Sequence, residues 1–229
     1  MDIRLVLAKI KTKIKVKKMN NFFIDKKDLR SVKGLTNAPG NLNYWSGKKR
    51  KSLIVNPSEA KCISFPKSSE ILNQKFFNYL IKKFHLNHTG IHGYDHWLRV
   101  LYNGRLIAEQ SGSNVKVVEL FSLIHNSQRV NDHNDQKHGE RAAIFAESLR
   151  TKWFNMKDSE VQLLQDACIF HSEGMTDNNI TLQTCWDADR LDFGRTGLLP
   201  DLEKLCTNFA KTPLVLEKAY QRSMVGLFK

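Results

Sequence analysis

The run from Val115 to His125, "VKVVELFSLIH", constrains the fold most. It is apolar around nearly its whole circumference, with Lys116, Glu119 and Ser122 as the exceptions. A helix apolar on all sides has to be enclosed by other elements, so this run predicts a central, buried helix. It also ends abruptly in His125-Asn126, which delivers an imidazole and an amide at the helix tip. A polar string containing His133 follows, and His138 then opens another apolar segment.

The surrounding texture is helical. Leu72, Phe76, Leu80 and Phe84 recur every fourth position, with Lys82 and Lys83 outside. Gly90 and Gly93 break that pattern, and a helix is predicted over Tyr94–Gln110 with Trp97, Leu101, Gly104 and Ala108 on one side. Ala142, Phe145 and Leu149 mark a further helix, and Leu163, Leu164, Ala167 and Cys168 another. Helices are also expected over Leu202–Ala210 and Val215–Arg222, the second opened by Pro213. The expected fold class is mainly α: residues 67–229 as an all-α domain behind an N-terminal extension, residues 1–66.

The extension is the basic part of the chain. Residues 1–60 hold 15 Lys+Arg against 4 Asp+Glu, while the whole 229-residue chain carries +13. Lys9, Lys11, Lys13, Lys15 and Lys17 alternate with Ile10, Ile14 and Val16, the period of a strand. Short strands are expected at Ser52–Val55 and Cys62–Phe65. Lys48, Lys49, Arg50 and Lys51 beside Tyr44 and Trp45 suit nucleic acid, with phosphate contact and base stacking. A solvated lysine-rich face is the plainer alternative. The opening residues do not read as a signal peptide, because lysines interrupt any apolar stretch. No run reaches the eighteen or so apolar residues of a membrane span. The four cysteines form no C-x-x-C pair, which argues against a zinc knuckle and points to a reducing, cytoplasmic setting.

Seven of the eight histidines lie between His85 and His138; the eighth is His171. His125 ends the buried helix, His138 shares an apolar face with Ala142 and Leu149, and His171 shares one with Leu164 and Cys168. Inward imidazoles need polar partners. "CWDADRLDFG", Cys185–Gly194, adds Asp187, Asp189 and Asp192 around Arg190, and crowded carboxylates repel unless a cation lies among them. Each residue alone reads as a core histidine or a salt bridge. Together they fit a divalent transition metal.

The order and spacing of these residues resemble the HD superfamily of metal-dependent phosphohydrolases, over roughly Phe76 to Phe209. "GYDHW" matches the first His with His96. "LIHNS" matches the His-Asp doublet with His125 and, in the second place, Asn126. "DADRLD" matches the distant Asp, with Asp189 preferred and Asp187 the alternative. "KHGERAA" and "IFHSEG" resemble the extra histidines of binuclear members, His138 and His171. The resemblance implies an HD-type helical bundle holding one or two ions of Mn, Fe, Mg, Co, Ni or Zn. It further implies a metal-activated water that attacks a phosphoester or nucleotide, with Asp187 placed near it. His92, Arg129, Lys137, Arg141 and Arg190 are the candidate substrate-binding residues. The expected partner is a phosphorylated small molecule or nucleotide. The departure is Asn126, where one neutral carbonyl oxygen replaces a carboxylate that usually bridges two metals. Three readings stand open: a degenerate, nucleotide-binding site, an Asp→Asn substitution made by design, or a site that works with one metal.

Overall fold

A computed structural model describes residues 72–225. The expected strands and the basic segment of residues 1–66 lie outside the described residues. Within them the chain is helical: α1 (Gln74–Lys83), α2 (Tyr94–Ser111), α3 (Val115–Ile124), α4 (His138–Leu149), α5 (Asp158–Phe170), α6 (Ile180–Arg190), a 3-10 turn (Phe193–Thr196) and α7 (Pro213–Val225). No helix among the described residues is long and apolar enough to cross a membrane.

Three asparagines start helices in the same way. Asn73 accepts from the Phe76 amide, Asn114 from those of Lys116 and Val117, and Asn179 from those of Thr181 and Leu182. Each satisfies amides that the first helical turn leaves without partners. Gly112 closes α2 in the left-handed conformation at φ 71°, which costs glycine nothing. Pro213 opens α7.

Helix α3 is the axle of the bundle. Every residue from Val117 to Ile124 is buried, and α2, α5, α6, α1 and α4 all pack on it. Its one buried acid, Glu119, is paired with Arg105 at 2.7 Å, and Ser122 returns its hydroxyl to the Val118 carbonyl. Two glycines set close approaches. A Cβ on Gly104 would lie 2.5 Å from the Val118 side chain, so α2 and α3 pack with no side chain between them there. A Cβ on Gly139 would lie 2.3 Å from the Cys168 carbonyl oxygen, so the start of α4 rests on the end of α5. That second contact brings His138, the first residue of α4, beside His171, the residue that caps α5.

The expected helix over Leu202–Ala210 is absent; the segment is a series of turns. The cause is Asp187. Its carboxylate accepts the amides of Cys206 (2.8 Å) and Thr207 (2.7 Å) and the Thr207 hydroxyl (2.7 Å). Amides captured by a buried carboxylate are not free for an i−4 ladder.

Candidate metal centre

Five helices end at one place. His96 lies in the first turn of α2, His125 caps α3, His138 starts α4, His171 caps α5 and Asp189 lies in the last turn of α6. All five are buried, His96 and His125 completely.

The tautomers follow from the partners. His125, His138 and His171 each place Nδ1 against a main-chain carbonyl: Phe121 (3.0 Å), Asp135 (2.5 Å) and Cys168 (2.7 Å). A carbonyl only accepts, so each Nδ1 carries the hydrogen and each Nε2 is a bare lone pair. His96 places Nδ1 against the Asp192 carboxylate at 2.8 Å, with the same result. Asp192 is itself gripped by Arg99 through Nε (2.6 Å) and Nη2 (3.0 Å). Hydrogen bonds of this kind fix a metal-ligating imidazole and raise its basicity.

The bare nitrogens face one another in two pairs. Nε2 of His96 and Nε2 of His125 are 3.1 Å apart; those of His138 and His171 are 2.9 Å apart. Facing lone pairs repel unless an electrophile lies beside them. Protonation of His96, His138 or His171 does not fill that role at neutral pH. Burial pushes His138 down to about 4, His171 down to about 3 and His96 well below the ordinary imidazole value. Asp189 Oδ1 adds an orphan: it is buried with no hydrogen-bond partner and lies 3.4 Å from His96 Nε2 and 3.7 Å from His125 Nε2. Burial alone would raise its carboxyl, but the Arg195 guanidinium, 3.8 Å from the same oxygen, is among the groups that hold it well below the ordinary carboxylate range. Ligand atoms about 2.0–2.1 Å from a tetrahedral ion are about 3.3 Å from one another. The three edges, 3.1, 3.4 and 3.7 Å, bracket that spacing. His96, His125 and Asp189 are therefore a buried group that can hold a metal ion.

Asn126 touches both members of the first pair. Its Nδ2 is 3.0 Å from His96 Nε2 and 2.9 Å from His125 Nε2, while its Oδ1 is 3.5 Å from Arg129 Nη1. The carboxamide thus donates its hydrogens to the two lone pairs, which a carboxylate could not do.

A pocket of about 460 Å³ opens on this centre. Asn126, His138, His171 and Asp189 line it, with His96 and His125 behind them. Arg129, Arg190 and Arg195 line it too. Arg129 donates to the Asn131 (3.2 Å) and His133 (2.8 Å) carbonyls, and Arg195 to those of Ile91 (2.9 Å) and Asp192 (3.1 Å). Arg190 donates to the carbonyls of Lys204 and Met175. Carbonyls fix a guanidinium without cancelling its charge, but Arg195 also pairs with Asp189 at 3.8 Å and Asp192 at 3.9 Å, and Glu173 and Asp201 line the same pocket, so its cations, Lys204 included, only slightly outnumber its carboxylates. His92 also lines it, its Nδ1 bonded to Asp132 at 2.8 Å. Burial lowers it to about 4.

Three of the expected site residues lie elsewhere. Asp187 is two positions before Asp189 on α6, roughly 200° around a helix of 3.6 residues per turn, and it faces the turns at Cys206–Thr207. Arg141 is tied to Asp135 at 2.6 Å and to the Gln128 carbonyl at 3.0 Å. Lys137 is exposed at the start of α4 and is not among the lining residues. Conversely, Asp192 as the partner of His96, Arg195 and Phe193 belong to the site and were not read from the sequence. A spacing signal existed: Asp189, Asp192 and Arg195 are three apart, which places them on one side of a helical or 3-10 turn.

No family model, curated protein or solved structure matches this chain. The chemistry of the site therefore carries the functional reading.

Proposed function

We propose that the protein is a metal-dependent phosphohydrolase of the HD type, acting on a phosphomonoester, phosphodiester or nucleotide. One observation carries the reading: four imidazoles, each with Nδ1–H locked by an acceptor, turn their Nε2 atoms toward one another in two pairs, the first of them beside an Asp189 Oδ1 that has no hydrogen-bond partner. His96, His125 and Asp189 would hold one ion, and His138 with His171 a second. A divalent ion bound there supplies Lewis acidity and makes water nucleophilic near neutral pH.

The chain's own residues do the rest. Neutral imidazoles hold a cation without cancelling its charge. Asp192 sets the orientation of the His96 ring, and Arg99 sets Asp192. Arg129, Arg190 and Arg195 meet the phosphate oxygens with guanidinium groups already fixed in place, so little reorganisation is needed on binding.

The alternative is a catalytically inactive HD module that binds a nucleotide or nucleic acid. It is favoured by the Asn126 carboxamide, which meets the two lone pairs with donors and offers only one neutral oxygen. Elemental analysis with a broad phosphatase panel, on the protein and its Asn126→Asp variant, separates the two. Bound metal with turnover in the parent supports the hydrolase. Turnover in the variant alone supports the inactive module. Metal-free protein without turnover in either form refutes the metal-centred reading.

A further inference from the structure

Part of the pocket lining is apolar. Phe193, Leu198, Leu199 and Pro200 form that part, and all four belong to the short segment that follows α6. Phe193 is 37% and Leu198 58% exposed, high values for large apolar side chains. Scattered exposed apolar residues need no explanation, but these two line the same pocket as three arginines. The Arg195 guanidinium lies over the Phe193 ring at 5.8 Å, so the aromatic wall and the cationic wall meet at one residue pair. The four apolar residues give an otherwise polar and charged lining one apolar patch, and about 300–1,000 Å³ is the usual volume of a small-molecule site. At about 460 Å³ the pocket has room for one ring and one phosphate rather than a polymer.

From this juxtaposition we infer that the substrate is a phosphate monoester whose alcohol carries a flat aromatic ring, the size of a nucleoside 5′-monophosphate. The ring stacks on Phe193 beside Leu198, and the phosphate lies toward Arg129, Arg195 and the imidazoles. The position of the phosphate rests on the phosphohydrolase reading; the position of the ring rests on Phe193 and Leu198. Phe193 is thus a specificity-determining residue and holds no metal.

The test is equilibrium binding by calorimetry of adenosine 5′-monophosphate, ribose 5-phosphate and inorganic phosphate to the full chain. Stacking of one base on an aromatic side chain predicts that the nucleotide binds about 5- to 150-fold more tightly than ribose 5-phosphate. Phe193→Ala should remove most of that gap, weakening the nucleotide more than ribose 5-phosphate, and Phe193→Trp should keep it. Equal binding of nucleotide and ribose 5-phosphate, equal loss of both in Phe193→Ala, or no binding of any of the three at millimolar concentration overturns the inference. Ring-selective binding without metal or turnover would sink the hydrolase reading and leave the ring site standing. Metal-dependent turnover of phosphate esters with no preference for a ring would do the reverse.

Discussion

Replacing Asn126 by aspartate tests the centre at its most informative point. The carboxamide gives hydrogens to Nε2 of His96 at 3.0 Å and of His125 at 2.9 Å, inside a site where all three residues are buried. Aspartate keeps the shape, removes both donors and sets a negative oxygen against two lone pairs and near the Asp189 carboxylate. Each buried polar group left without its partner costs about 1–3 kcal/mol. Two such losses amount to roughly 2–6 kcal/mol in protein stripped of metal. For a chain of this size 1 kcal/mol moves Tm by about 2–4 °C, so Tm in a chelator should fall by about 4–24 °C. A divalent ion reverses the sign, because the new carboxylate is then a ligand. Stabilisation by a bound ion follows RT ln(1 + [L]/Kd), about 2.7 kcal/mol at one hundred times Kd. Thermal scans of parent and variant, in chelator and across a manganese or zinc titration, read both effects. The variant should be the less stable protein without metal and should show the larger rise with it. A variant as stable as the parent in chelator, with no greater response to metal, would show that the carboxamide is not a donor to the imidazoles.

Other outcomes follow from the same geometry. Asp192→Asn should weaken metal binding about 10- to 100-fold by freeing the His96 ring, and should cost about 3–5 kcal/mol because Arg99 loses its buried partner; metal titration and urea unfolding measure the two. Asp187→Ala should destabilise by about 2–4 kcal/mol through loss of the contacts to Cys206 and Thr207, with metal content unchanged by elemental analysis. In chelator, stability should fall as pH drops from about 6.5 toward about 4. His138 and His171 are held neutral in the fold but take protons readily when unfolded, so the unfolded state binds more protons in that window; urea midpoints across pH check the slope. Gly139→Ala should cost about 1–3 kcal/mol and lower metal stoichiometry, because its Cβ would lie 2.3 Å from the Cys168 carbonyl oxygen and push His138 away from His171.

Much of this was legible in the sequence. The all-round apolar run gave a helix, observed as Val115–Ile124, and its burial followed from having no polar face to turn outward. The histidines on inward faces converged because each stood at a helix end or apolar stripe. What failed was local. Asp187 and Asp189 are two residues apart, and without a helix assigned to Ile180–Arg190 nothing in the string "DADRLD" said that they point to opposite sides. The turns at Leu202–Ala210 carry a helical pattern that loses to three hydrogen bonds from a carboxylate about twenty positions earlier. Tertiary capture of that kind leaves no trace in periodicity. Arg141 and Lys137 lay beside ligands in sequence, but neighbours on a helix point about 100° apart, so adjacency said little about the pocket.

His96 and Asp192 are joined across 96 positions of sequence. Five of the seven α-helices described, α2 to α6, are thereby closed into a ring whose clasp is the candidate site. A ligand that draws His96 toward Asp189 acts on the chain as a cross-link does: it removes from the unfolded ensemble the states in which the ends of that ring are far apart. Loop-closure entropy grows only as the logarithm of ring size, so most of the effect is present for any ring this long. A metal bound at the centre would link its occupancy to the stability of the bundle, and a chelator should then lower Tm.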